Sequence, residues 1–66
     1  MQEITREEAE TIVIGSEVLE SSKRLENYNI IIRLNLSNGL TLIVCYNIQE
    51  HSKSYFIEES ERFVWQ

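Results

Sequence analysis

The chain has 66 residues, a formal charge of −5 from six basic and eleven acidic side chains, one cysteine, one histidine and no proline. A chain this short forms one domain that buries about 60% of the surface exposed when unfolded, and neither an internal disulfide nor a multi-histidine or multi-cysteine zinc site can supplement its core. Every acid is glutamate, so the aspartates that commonly help to hold metals are missing, and no cofactor is expected.

The start, MQEITREEAE, is acidic where a signal peptide needs a basic region and an apolar stretch. The longest apolar run, Leu42 to Tyr46, is far below the roughly 18 residues of a membrane span. Together with the lone thiol, this predicts a reducing, cytoplasmic setting.

Thr5 opens the first element. In TREE, Glu8 follows Thr5 by three residues, the spacing of a capping box, with Ile4 and Ala9 at the staple positions. Glu7, Glu8 and Glu10 lie where the helix dipole favours negative charge. Ile4, Ala9, Ile12 and Val13 follow helical spacing, which predicts a helix over about 5–14, closed by Gly15 in a left-handed cap. So short a helix is stable only when docked on a sheet. Beyond it, SEVLES reads as a short edge strand over 17–22, and SKRLEN as a polar connection anchored by Leu25.

Asn38-Gly39 signals a hairpin between strands over 28–36 and 40–48. The even-numbered residues Tyr28, Ile30, Ile32, Leu34 and Leu36 are apolar, as are Leu40, Leu42, Val44, Tyr46 and Ile48. A two-residue turn would set even residues against odd ones and split these sets onto opposite faces. A three-residue loop, Ser37-Asn38-Gly39, pairs Leu36 with Leu40 and Leu34 with Leu42 and puts all ten on one face, with Gly39 as the bulge glycine. The other face then carries Asn29 with Asn47, Ile31 with Cys45, Arg33 with Ile43, and Asn35 with Thr41. SYFIEE predicts a further strand over 54–58, which as an antiparallel neighbour adds Phe56 to the Ile31, Ile43, Cys45 patch. The segment 62–65 reads equally as a strand or a turn of helix. The expected fold is α+β, one N-terminal helix packed on an antiparallel meander of three to five short strands.

No catalytic constellation is evident. His51 lacks a second histidine or an aspartate to converge on it, and Cys45 sits mid-strand with no basic neighbour to lower its pKa. The acidic groups Glu3, Glu7, Glu10 and Glu58, Glu59, Glu61 read as solvated faces, or alternatively as imitations of nucleic-acid phosphates. Direct nucleic-acid binding is disfavoured by the negative charge and the dispersed basic residues, and Tyr28 and Tyr46 are expected in the core rather than as stacking platforms.

These features predict a non-catalytic protein-interaction module, an inhibitor or regulator that occupies a partner's surface. The candidate surface is Ile31, Arg33, Ile43, Cys45 and Phe56, on the sheet face a single helix leaves bare, the equal alternative being that the C-terminal Phe63-Val64-Trp65 folds over this patch and covers it within the monomer. The expected partners are a protein, of basic character given the charge, and a second copy of the chain. The alternative is an acidic nucleic-acid mimic or weak single-strand binder. In general form the chain is similar to small inhibitors and regulators encoded by phages and mobile elements, an analogy of class that implies the host cytoplasm.

Overall fold

The computed structural model describes residues 1–60 and shows one helix and five strands in a single antiparallel sheet, an α+β fold. In chain order these are β1 (Gln2–Ile4), α1 (Arg6–Ile14), β2 (Val18–Glu26), β3 (Asn29–Leu36), β4 (Leu40–Asn47) and β5 (Ser52–Glu59). The sheet order is β1-β5-β4-β3-β2, so a meander from β2 to β5 is completed by the N-terminal strand alongside β5. The segment 62–65, read equally as a strand or a turn of helix, lies outside the described residues.

The helix begins as its local chemistry dictates. The Glu8 N–H donates to Thr5 Oγ1 at 3.1 Å, and the Thr5 N–H donates to Glu8 Oε1 at 2.9 Å. Thr5→Ala removes one of these bonds and is expected to cost about 1 kcal/mol. A thermal melt checks this, and an unchanged midpoint would mean that the cap contributes nothing. The far end differs from expectation. Gly15 has φ −84° and ψ 6°, not the left-handed conformation; its N–H donates to the Thr11 carbonyl and the Ser16 N–H to the Val13 carbonyl, each at 3.2 Å. The Ser16 N–H thus closes the last turn on a helix carbonyl while Gly15 keeps a negative φ, so glycine's conformational freedom is not needed there.

The hairpin register is the one set by the apolar pattern. Leu34 faces Leu42, Ile32 faces Val44 and Ile30 faces Tyr46. Gly39 takes φ 89°, its N–H donates to the Leu36 carbonyl at 3.3 Å, and Asn38 Oδ1 accepts from the Leu40 N–H at 3.0 Å. The Gly39 carbonyl also accepts from the Ser60 N–H at 2.8 Å, tying the loop to the end of β5.

Two stretches depart from the sequence reading. SKRLE is not a connection. It continues β2 to Glu26, and the chain reverses through Asn27-Tyr28, with Asn27 at φ 58°. β1 is an addition, paired Gln2 with Ile57 and Ile4 with Tyr55. The core is small: Ala9, Leu36 and Leu42 are buried, with Ile4, Ile12, Val13, Leu34, Val44 and Tyr55 packed against them. Tyr28 and Leu25, expected to be core and anchor, are instead 57% and 67% exposed, because the helix does not reach that end of the sheet.

Candidate functional site

Two surfaces follow from this geometry, one on each side of the sheet. On the side away from the helix, register brings together all five residues of the expected contact surface. Ile31 faces Cys45 and Arg33 faces Ile43, while Ile43 faces Phe56 on its other flank. Polar rungs close the two ends. Asn47 Nδ2 donates to Asn29 Oδ1 at 3.1 Å at one end. At the other, Thr41 Oγ1 donates to Asn35 Oδ1 at 2.8 Å, and Asn35 Nδ2 donates to Glu20 Oε1 at 2.9 Å.

Between them, Arg33 Nη2 donates to Glu58 Oε2 at 2.8 Å. Because Arg33 faces Ile43 and Glu58 faces Thr41, this ion pair crosses β4 diagonally, joining β3 to β5. Ile43 lies in the row between Arg33 and Phe56 and is 4% exposed. The aliphatic stem of an arginine can lie along apolar neighbours while its charged head stays wet, and Arg33 stands directly opposite Ile43 in register. Ile31, Cys45 and Phe56 are half-buried around it.

On the helix side, length decides what is exposed. The nine residues of α1 extend about 14 Å, whereas eight-residue strands extend about 27 Å. The helix therefore roofs one end of the apolar face. A groove of 430 Å³ opens beside it, lined by Val13, Ile14, Leu34, Val44 and Tyr55, with Glu10 at its acidic margin. Ile14, in the last turn, is 84% exposed, and Tyr28 and Ile48 are 57% and 40% exposed. Sequence reasoning assigned this face wholly to the core. The length arithmetic was the signal that could have corrected it.

Candidates for chemistry are placed apart. His51 is in the β4–β5 loop at φ 56°, with Nδ1 at 3.1 Å from the Tyr46 hydroxyl. Cys45 is a free thiol facing Ile31 and Ser54. Among the described residues, no three histidine, cysteine or glutamate side chains are grouped to hold a metal ion. No helix among them is long and apolar enough to cross a membrane. No protein-family model, curated protein or solved structure matches the chain.

Proposed function

We propose that this chain is a non-catalytic protein-interaction module that acts by occupying a partner's surface, with the groove beside α1 as its contact. The observation that supports this is the mismatch between helix and sheet, which leaves a 430 Å³ apolar groove with Ile14 exposed at its rim. Contiguous exposed apolar surface of this kind marks interaction sites. The groove is favoured over the opposite face because Ile43, at the centre of that face, is 4% exposed. Glu10 at the margin and the net charge of −5 favour a partner that inserts an apolar side chain flanked by lysine or arginine. Inhibition or regulation would follow from blocking whatever else that segment binds.

A peptide-display selection on the folded protein tests this. Selected peptides should carry an apolar anchor beside a basic residue, lose binding to Ile14→Glu, and retain it in high salt. Binding indifferent to Ile14→Glu would overturn the groove assignment. Binding that weakened steeply with salt would point instead to the acidic surface and a phosphate-mimicking role.

A further inference from the structure

β2 is the longer edge strand of the sheet, nine residues against three in β1, and every one of its residues is exposed. A long unpaired edge is a template for another strand unless something blunts it. Among the described residues β2 pairs with β3 alone, and its outward backbone groups can be identified. The Ile48 N–H donates to the Tyr28 carbonyl at 2.8 Å, in phase with the even-numbered residues of β3 bonding to β4. The odd-numbered residues of β3 therefore bond to β2, through their partners Glu20, Ser22, Arg24 and Glu26. Ser21, Lys23 and Leu25 then direct their N–H and C=O groups outward.

We propose that this edge pairs with the same edge of a second copy, antiparallel about a two-fold axis at Ser22. Outward-bonding residues must face one another, which places the axis on a residue of the strand. Centred on Ser22, Glu20 faces Arg24 of the second copy, Ser21 faces Lys23, and the bulged Leu19 comes beside Leu25, each twice by symmetry. Glu20 and Arg24 form the pair that is not hydrogen-bonded through the backbone, where opposed side chains approach most closely; this contact adds to those each makes in its own chain, Glu20 with Asn35 and Arg24 with Glu26 at 3.8 Å. Leu19 and Leu25, 55% and 67% exposed, cover one another.

The alternatives fail on charge or yield less. An axis at Lys23 opposes two lysines and sets Glu20 against Glu26, and an axis at Arg24 opposes two arginines. An axis at Ser21 leaves Glu20 facing a serine. The segment Leu-Glu-Ser-Ser-Lys-Arg-Leu is self-complementary in one register. Pairing there would join two sheets into one of ten strands with both helices on the same side, and it leaves the groove of each copy free for a different partner.

Size exclusion with light scattering tests the proposal. The parent should elute with twice the 7.8 kDa chain mass. Lys23→Pro removes an outward N–H without touching the ladder to β3 and should yield a folded monomer. Arg24→Glu should weaken dimerisation roughly tenfold, and adding Glu20→Arg to it should restore the dimer. If Lys23→Pro does not fold, the charge reversal and its rescue decide. A monomeric parent at high micromolar concentration, or a dimer indifferent to the charge reversal, would overturn the proposal. A dimer broken by Ile14→Glu and indifferent to the edge variants would place the interface in the groove and equally overturn it.

Discussion

Leu36→Ala is expected to destabilise the fold by about 2–5 kcal/mol, a larger loss than the helix-cap or loop substitutions should cause. Leu36 is 1% exposed and forms the buried cluster with Ala9 and Leu42, at the point where helix, β3 and β4 meet. With so few fully buried side chains, little else can collapse into the space it leaves. Small domains have only a few kcal/mol in reserve, so the variant should be largely unfolded near its parent's working temperature. Urea unfolding followed by circular dichroism checks this. A midpoint equal to the parent's would mean that the core lies elsewhere.

Gly39→Val is expected to cost more than about 1 kcal/mol. At φ 89° a β-branched side chain meets the neighbouring carbonyl, a conflict glycine avoids. The loop cannot relax freely, because the Gly39 N–H is tied to Leu36 and its carbonyl to Ser60. A thermal melt matching the parent's would show that the bulged loop does not form as described.

The hairpin and the helix start were legible because each is specified twice over by nearby residues. In the hairpin, an unbroken even-numbered apolar set and a glycine at the bulge point to the same register. At the helix start, Thr5 and Glu8 satisfy one another within three residues. β2 was only half legible. Periodicity of two appears when one face is buried and the other wet, and Val18–Glu26 is exposed throughout. β1 carries no local signal, since its partner residues Tyr55 to Ile57 lie at the far end of the sequence.

The candidate surfaces divide in the same way. Register alone placed Ile31, Arg33, Ile43 and Cys45 on one face. The ion pair that crosses this face joins residues 25 apart, which no local pattern announces, and neither does any pattern announce that Ile43 is buried. The groove was hidden by the assumption that one helix covers one face. A nine-residue helix is too short to do so, and what it leaves open supports the functional reading.

Hydrogen exchange of the β2 amides, measured residue by residue at low and high protein concentration, tests most directly whether the chain meets a second copy along its edge. In the dilute protein, the Ser22 and Arg24 amides, bonded to β3, should be protected, while those of Ser21, Lys23 and Leu25 exchange freely. On concentration the outward set should become protected as well, restoring protection at successive residues across the Ser22 axis. Outward amides that exchange at the same free rate at every concentration would contradict the account, leaving β2 an unpaired edge.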